Sequence, residues 1–214
     1  MNGIKNVIID LGGVMIDLDR DRCVREFEAL GIPGVNEMLG LYRQKEPFLS
    51  IETGSISVAD FYDKLRELAG RNIDDKLLEK AFYAFLVKLP PERLAALRSM
   101  RSAGLRLFMI SNTNVIMYDG WIKQAFMQEG LRVGDYFDGI VTSFAEGVCK
   151  PDPQIFETVL RRYSLQPRES ILLDDSEANC EEARRLGMHA LRIWGAETLL
   201  TAAERLRTQP DIKS

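Results

Sequence analysis

The stretch Val7-Ile8-Ile9-Asp10-Leu11-Gly12-Gly13-Val14 decides the fold of this 214-residue chain. Its first three residues are branched and apolar, a pattern typical of a strand that is buried on both faces of a parallel sheet. Asp10 ends the apolar run, and the two glycines after Leu11 allow the backbone to turn sharply and to approach a ligand closely. The stretch therefore predicts a buried strand that presents a carboxylate at its carboxyl end.

Short apolar segments of the same kind recur along the chain, with helical patterns between them. The predicted strands cover 4–10, 105–111, 139–143, 170–174 and 189–193. The predicted core helices cover 92–103, 115–129, 153–163, 177–186 and 197–206. This alternation predicts an α/β fold with a Rossmann-like, three-layer core, in which helices cover both faces of a parallel sheet.

The region between the first two core strands breaks this alternation. Three helical patterns dominate it, at 22–30, 58–69 and 75–87. The sequence Leu89-Pro90-Pro91-Glu92 then restarts the α/β pattern, with proline in the first turn of a helix. We interpret the region as an inserted α-helical cap domain. The predicted domains are a catalytic core formed by 1–17 and 89–214, and a cap formed by 18–88.

Composition argues against several classes of protein. The formal net charge is −4 and the charges are well mixed, so we expect no nucleic-acid partner. The three cysteines are far apart and lack a C-x-x-C spacing, which is typical of reduced thiols in a cytoplasmic protein. The single histidine excludes a multi-histidine metal site. No apolar run is long enough for a membrane span, so we expect a cytoplasmic monomer or weak homodimer without a membrane partner.

Polar residues capable of chemistry follow the predicted strands at their carboxyl ends. They are Asp10, the pair Ser111-Asn112 and the pair Asp174-Asp175. In an open α/β sheet, ligands bind at this edge, where the strand order reverses. Lys150 lies in a polar loop and is followed by Pro151 and Pro153, and we expect it to join these residues as a fixed cation.

These residue types suit the transfer of a phosphoryl group. Aspartate is a known nucleophile toward phosphorus, although a strand-ending Asp10 also suits a simple capping role. The hydroxyl of Ser111 and nearby backbone N–H groups can hold phosphoryl oxygens, although serine and asparagine also cap helices well. Adjacent Asp174 and Asp175 repel each other unless a cation is near, and Mg²⁺ prefers carboxylates, water and phosphate oxygens as ligands.

In this order and spacing, the motifs resemble those of the haloacid dehalogenase (HAD) superfamily of phosphohydrolases over nearly the whole chain. The matching stretches are Val7–Val14, Ile110-Ser111-Asn112, Lys150-Pro151 and Leu173-Asp174-Asp175 with Asn179. The helical insertion resembles the cap that this superfamily places between its first two motifs. Ser111-Asn112-Thr113-Asn114 and the segment from Phe48 through Glu52-Thr53-Gly54-Ser55-Ile56 are similar to bacterial sugar-phosphate phosphatases, including glucose-1-phosphate phosphatase.

The resemblance implies a Mg²⁺-dependent phosphoric monoester hydrolase that acts on a small phosphorylated metabolite through an aspartyl-phosphate on Asp10. It implies four metal ligands: Asp10, the carbonyl of Gly12, Asp174 and Asp175. It implies phosphate contacts from Ser111, Asn112 and Lys150, and substrate contacts from Glu52 and Gly54 in the cap. The cap would close over the site and exclude water.

The sequence departs from the superfamily at Gly12, where most of its phosphatases carry a second aspartate that acts as general acid and base. Loss of such a group typically lowers the rate by about 10²–10⁴-fold. We therefore expect one of three cases: another group replaces the acid, the substrate has a good leaving group such as that of a sugar 1-phosphate, or the protein is a weak or inactive catalyst that binds phosphosugars. Asp17 and Asp19 are expected to be hinge or capping residues. Two other functions fit the sequence less well. A dehalogenase site contains no metal ion, so the acidic pair Asp174-Asp175 would have no function in it. A phospho-accepting switch module would have no function for the helical cap.

Overall fold

The core of the protein is a parallel β-sheet, seen in a computed structural model that describes residues 3–195 and 197–208. The strands in these ranges are β1 (Asn6–Ile9), β2 (Asp17–Leu18), β3 (Leu86–Lys88), β4 (Arg106–Ser111), β5 (Gly139–Thr142), β6 (Ser170–Asp174) and β7 (His189–Arg192). Five of them form the sheet, in the order β5-β4-β1-β6-β7, and every neighbouring pair is parallel. The chain therefore reverses its direction of travel across the sheet at β1, which places a crevice at the carboxyl ends of β4, β1 and β6.

The helices of the described ranges cover both faces of this sheet and build the cap. They are α1 (Arg20–Ala29), α2 (Val35–Met38), α3 (Phe48–Glu52), α4 (Val58–Ala69), α5 (Asp75–Tyr83), α6 (Pro91–Ser102), α7 (Val115–Met117), α8 (Lys123–Phe126), α9 (Val133–Tyr136), α10 (Ser143–Glu146), α11 (Pro153–Arg162), α12 (Glu177–Arg185) and α13 (Leu199–Arg207). No helix within these ranges has both the length and the apolarity needed to cross a membrane.

The central strand explains the layered core. Val7 and Ile9 point to the face that α6 and α13 cover, whereas Ile8 points to the face that α11 and α12 cover. All three side chains are fully buried. Because successive side chains of a strand alternate between faces, an unbroken apolar run requires cover on both sides. The predicted three-layer α/β core is confirmed.

The cap between β2 and β3 has its own aromatic core. Phe27, Phe48, Phe61 and Phe82 come from four different helices and pack with ring centroids 5.4–5.7 Å apart. Such pairs add about 0.5–1.5 kcal/mol each beyond the burial of their area. The predicted helix at 58–69 coincides with α4. The domain boundaries that we predict, at 17/18 and 88/89, fall within or next to β2 and β3 and stay predictions.

The helix predicted at 75–87 is too long by several residues. It ends at Tyr83, because Leu86–Lys88 forms β3 and pairs with β2 in an antiparallel ribbon between core and cap. Asp17 in this ribbon pairs with Arg93 at 2.8 Å. Asp19 caps α1 by accepting a bond from the backbone N–H of Arg22 at 2.8 Å. Asp19 thus has the capping role that we expect, whereas a hinge role for Asp17 stays a prediction.

The helix predicted at 115–129 is also interrupted. A π-helical turn, Tyr118–Ile122, separates α7 from α8, and a 3₁₀ turn, Met127–Glu129, ends the segment. Within the π turn, the hydroxyl of Tyr83 from the cap occupies the space where a Cβ of Gly120 would lie. The absence of a side chain at Gly120 therefore allows the cap to contact the core here. The hydrophobic period of the sequence does not reveal a contact of this kind, because it joins residues that are far apart in the chain.

Candidate active site

A capped cavity lies at the carboxyl edge of the sheet and brings together most of the predicted site residues. Asp10, Gly12, Ser111, Asn112, Lys150 and Asp175 line it from the core, and Glu52 lines it from the cap. Asp10 follows β1 directly, and its backbone N–H donates to the carbonyl of Leu173 at 3.0 Å. This bond continues the hydrogen bonding between β1 and β6 by one residue, so it holds the Asp10 carboxylate at the carboxyl end of the central strand.

Lys150 is the cation of the site. Its ammonium lies 2.8 Å from Asp10 Oδ1 and donates to Asp174 Oδ2 at 2.6 Å, and only 1% of its side chain is exposed. Burial alone would lower the pKa of Lys150, but the two carboxylates outweigh it and raise the pKa above its usual range. Lys150 is therefore held as a charged group between Asp10 and Asp174.

The loop that carries Lys150 is held by Asn112. The backbone N–H of Lys150 donates to Asn112 Oδ1 at 2.7 Å, and Asn112 Nδ2 donates to the carbonyl of Lys150 at 2.9 Å. The side-chain amide that we expect to contact substrate is thus engaged in positioning the lysine. A direct contact between Asn112 and substrate stays a prediction.

The hydroxyl of Ser111 is only weakly engaged within the protein. It donates to the carbonyl of Asn112 at 3.4 Å, a long bond, and the side chain is 2% exposed beside the cavity. The capping role that competes with phosphate binding belongs instead to Asn114, which accepts from the backbone N–H of Met117 at 3.0 Å. Ser111 therefore keeps a donor for a ligand.

Three buried carboxylates meet beside Lys150. Asp10, Asp174 and Asp175 each place an oxygen within 4.8 Å of the others. Burial raises the pKa of Asp10 to about 7, against the attraction of Lys150. Burial and the neighbouring Asp174 raise the pKa of Asp175 to about 6. One ammonium thus fails to offset three carboxylates, and an all-oxygen donor set of this kind fits a hard divalent cation such as Mg²⁺.

Asp174 differs from the other two carboxylates because both of its oxygens have partners. Oδ1 accepts from the backbone N–H of Ser176 and from Asn179 Nδ2, each at 2.9 Å, and Oδ2 accepts from Lys150. Asp174 is fully buried behind Lys150 and does not line the cavity. Its role as a direct metal ligand stays a prediction. Asn179, which belongs to the same matching stretch, holds Asp174 in place through this bond.

Gly13 has a steric role that the sequence does not reveal. Its φ of 72° lies in the left-handed region, and a Cβ at this position would collide with the carboxylate of Asp175. The glycine therefore allows the loop after β6 to approach the loop after β1. Without it, Asp10 and Asp175 would not share one site.

The cap contributes two polar groups that reach the core. Glu52 is 8% exposed, and its Oε1 accepts a bond from Cys149 Sγ at 3.4 Å. Tyr42 donates its hydroxyl to Asp175 Oδ2 at 3.4 Å. Sequence analysis missed Tyr42 and Cys149, because a tyrosine in a cap loop and a lone cysteine carry no motif.

Gly54, which we expect to contact substrate, does not line the cavity. Its φ of 65° is left-handed, and the space of a Cβ is filled by the backbone of Phe144 in α10. In this structure, the glycine serves the contact between the cap and the core. A role in substrate binding stays a prediction.

The structure has an α/β core with a carboxylate, a lysine and an acidic pair gathered under a helical cap, an arrangement typical of enzymes that act on anionic groups. A family model described as haloacid dehalogenase-like hydrolase matches residues 4–187. The chain belongs to this family of hydrolases. The predicted superfamily, fold class and hydrolase nature are therefore confirmed.

Two relatives from Bacteroides thetaiotaomicron bear on the chemistry. A D-ribitol-5-phosphate phosphatase is 29% identical over 189 residues, which cover 88% of this chain and 91% of the relative. A HAD family enzyme was crystallised with magnesium and inorganic phosphate as an aspartate-to-alanine variant. It is 36% identical, the match covers 91% of this chain and 96% of that chain, and the TM-score is 0.86. The wild-type enzyme was crystallised with the same two ligands.

A third relative shows that the likeness extends over the whole described fold. A HAD-like family hydrolase from Porphyromonas gingivalis is 31% identical, with a TM-score of 0.86. The match covers 97% of this chain and 99% of that chain. Core and cap are thus both shared with a solved structure.

Proposed function

We propose that the chain is a Mg²⁺-dependent phosphatase that removes the phosphoryl group from a small phosphorylated metabolite through an aspartyl-phosphate on Asp10. One observation carries the proposal: the buried carboxylate of Asp10 lies 2.8 Å from the ammonium of Lys150 and beside two further carboxylates, at the base of a capped cavity. The magnesium and phosphate in crystals of the Bacteroides enzyme support it.

Asp10, Asp175 and the carbonyl of Gly12 would hold the magnesium ion, with Asp174 bound to Lys150 behind them. The carboxylates and the substrate phosphate are all negatively charged and repel one another. The bound ion would offset this negative charge and so reduce the repulsion between them. A divalent cation fits here because the site as a whole holds three carboxylates, including Asp174, against the single ammonium of Lys150.

The residues of the chain divide the reaction between them. One carboxylate oxygen of Asp10 attacks phosphorus, and the bond from phosphorus to the leaving oxygen breaks. Lys150 and the Ser111 hydroxyl stabilise the negative charge on the phosphoryl oxygens during the transfer. Water then hydrolyses the acyl-phosphate, which releases inorganic phosphate and restores Asp10. The cap limits the access of other water during the first step.

The lining of the cavity favours a neutral leaving group. Among the described residues that line it, Lys150 is the one cation, and Glu52 adds a carboxyl group from the cap. The remainder of the cap side is largely apolar, with Leu39, Phe48 and Phe82 among the lining residues. A second phosphate or a carboxylate on the substrate would have no cationic partner among the described lining residues of the cap. We therefore propose a sugar or polyol monophosphate, a class to which the substrate named for the ribitol phosphate relative belongs. A sugar 1-phosphate stays a prediction within this class.

A phosphate-release screen tests the function. We expect Mg²⁺-dependent release of many phosphates per protein from a sugar 1-phosphate, a sugar 6-phosphate or ribitol 5-phosphate. We expect at least about a tenfold lower kcat/KM for a sugar bisphosphate and for phosphoserine, because a charge without a partner costs more than about 1.4 kcal/mol. Release of a single equivalent would favour a switch module, and no release would favour an inactive binding protein. Halide release from a 2-haloacid would favour a dehalogenase.

Metal binding is expected to stabilise the protein through Asp175. Saturation to 100 times the Kd adds about 2.7 kcal/mol. For a chain of this size, that corresponds to a rise in Tm of about 5–10 °C, measured by thermal unfolding with and without Mg²⁺. Asp175→Asn should raise the Tm of the metal-free protein, because it removes one of three crowded carboxylates, and should lose most of the Mg²⁺-dependent rise.

The matched control is Asp21→Asn, which alters an exposed aspartate paired with Arg20 outside the cavity. This variant should keep the full Mg²⁺-dependent rise in Tm. An equal rise in Asp175→Asn and in the wild-type protein would refute the assignment of Asp175 as a ligand.

A further inference from the structure

The position that lacks a general acid is open to a side chain but holds none. Gly12 lines the cavity, and the atoms nearest to a Cβ placed on it belong to the flexible side chain of Leu18, with Cδ1 at 3.0 Å. Among the described residues that line the cavity, the acidic side chains are Asp10, Asp175 and Glu52. The proposed function uses Asp10 as nucleophile and Asp175 as metal ligand. Glu52 is the carboxyl group without a role.

The structure fixes Glu52 over the core although it belongs to the cap. Glu52 is the last residue of α3, and its carboxyl group accepts a bond from Cys149, which directly precedes Lys150 in the chain. Close packing of Gly54 on the backbone of Phe144 holds the end of α3 against α10. A substrate in the cavity would therefore lie between Asp10 on the core side and Glu52 on the cap side.

The titration of Glu52 suits acid–base work at neutral pH. Burial raises the pKa of Glu52 to about 7, while the bonds from the Cys149 thiol and the Gln44 amide and the charge of Lys150 oppose this rise. A general acid and base is most effective when its pKa lies near the working pH. The other donors near the cavity suit this role poorly. Burial raises the pKa of Cys149 to about 12, and burial together with Asp175 raises the pKa of Tyr42 above its usual range.

We propose that Glu52 is the general acid and base of this phosphatase, in place of an aspartate at position 12. In the first step, Asp10 bonds to phosphorus, the bond to the leaving oxygen breaks, and the Glu52 carboxylic acid gives its proton to that oxygen to form the alcohol. In the second step, the Glu52 carboxylate takes a proton from water, whose oxygen bonds to phosphorus as the bond to Asp10 breaks. Glu52 regains its proton and phosphate leaves. The proposal rests on the proposed function and explains how the chain turns over without an acid at Gly12.

Glu52→Gln tests the proposal, because glutamine keeps the shape of the side chain but cannot exchange a proton in this way. With ribitol 5-phosphate or a sugar 6-phosphate, whose leaving groups are alcohols, we expect kcat to fall by about 10²–10⁴-fold. With p-nitrophenyl phosphate, whose leaving phenol is far more acidic, Glu52→Gln should release one equivalent of p-nitrophenol in a burst. Slow steady turnover should follow, because hydrolysis of the aspartyl-phosphate still needs the base.

A second substitution separates catalysis from folding and substrate binding. In the double variant Gly12→Asp with Glu52→Gln, the new carboxylate stands at the sequence position where the superfamily places its acid, and the added Cβ requires Leu18 to move by only a few tenths of an ångström. We expect kcat on the alkyl phosphates to recover by at least tenfold over Glu52→Gln alone. Glu67→Gln is the matched control: it makes the same change at an exposed site of α4 outside the cavity, and should leave all rates unchanged.

The outcomes distinguish this proposal from the proposed function. Equal losses on alkyl and p-nitrophenyl phosphates, without a burst and without rescue by Gly12→Asp, would overturn the acid–base role of Glu52 while phosphatase activity stands. An unchanged kcat with a raised KM would overturn it as well, since Glu52 would then only bind substrate. Absence of phosphate release by the wild-type protein would instead remove the proposed function.

Discussion

Asp10→Asn is expected to lower the rate of phosphate release by at least about 10⁴-fold, to the level of a blank, because the amide oxygen cannot form the acyl-phosphate. The substitution is nearly isosteric, so the contact of this side chain with Lys150 need not collapse. It also removes one of three crowded carboxylates. We therefore expect Asp10→Asn to fold and to match or exceed the wild-type protein in metal-free Tm. Loss of activity with retained stability is the signature of a nucleophile.

Intact-mass measurement makes this result specific. Wild-type protein quenched during turnover should carry one additional phosphoryl group, and Asp10→Asn should carry none. Asp21→Asn, at an exposed position, should keep both the activity and the phosphoryl adduct. Activity of Asp10→Asn above about 1% of wild type, without deamidation of the new asparagine, would contradict the covalent route through position 10.

Lys150→Met is expected to have the largest combined effect on stability and activity. The ammonium is 1% exposed and lies within 2.8 Å of both Asp10 and Asp174, so its removal leaves two buried carboxylates without their cation. Breaking a buried pair on one side costs about 3–5 kcal/mol of unfolding free energy. Loss of a fixed positive charge beside the phosphoryl group should lower kcat by a further 10²–10³-fold, roughly as for other donors to developing charge.

Urea unfolding and phosphate release measure the two effects separately. The matched control is Lys123→Met, because Lys123 pairs with Asp119 at 2.7 Å but is half exposed. A surface pair of this kind contributes only about 0–1 kcal/mol. Lys150→Arg should regain part of the stability but little of the activity, since a guanidinium does not occupy the same point as an ammonium. Equal urea midpoints for Lys150→Met and the wild-type protein would contradict this account.

Most of the core was predictable because its elements carry local patterns. The strand predicted at 170–174 coincides with β6, and the others end within about two residues of their predicted bounds. The ribbon of β2 and β3 was not predicted, because strands of two and three residues are too short to show a period. The π-helical turn Tyr118–Ile122 within the helix at 115–129 was also not predicted, and the close contact of its Gly120 with Tyr83 joins residues that are far apart in the sequence.

The candidate site was predictable where a residue ends a strand, and less so where it belongs to a loop. Asp10, Ser111 and Asp175 follow buried strands, and the structure places all three at one cavity. The engagement of Asn112 with the backbone of Lys150 was not predictable, because it depends on two loops that meet only in the folded chain. The same holds for the bond between Tyr42 and Asp175.

The chemical groups of the site, and the edge of the sheet at which they gather, can be inferred from the order of the residues alone. Each short apolar run marks a buried strand, and the polar residues after it mark the point where the chain leaves the core. The carboxyl ends of parallel strands lie at one edge of the sheet, so these polar residues gather there. Only the tertiary structure decided which groups of the cap face that edge. The packing of α3 on α10 brings Glu52 over the cavity and keeps Gly54 out of it, although only Thr53 separates them in the chain. Such packing depends on the shapes of surfaces whose residues are far apart in the sequence, so the local hydrophobic pattern does not predict it.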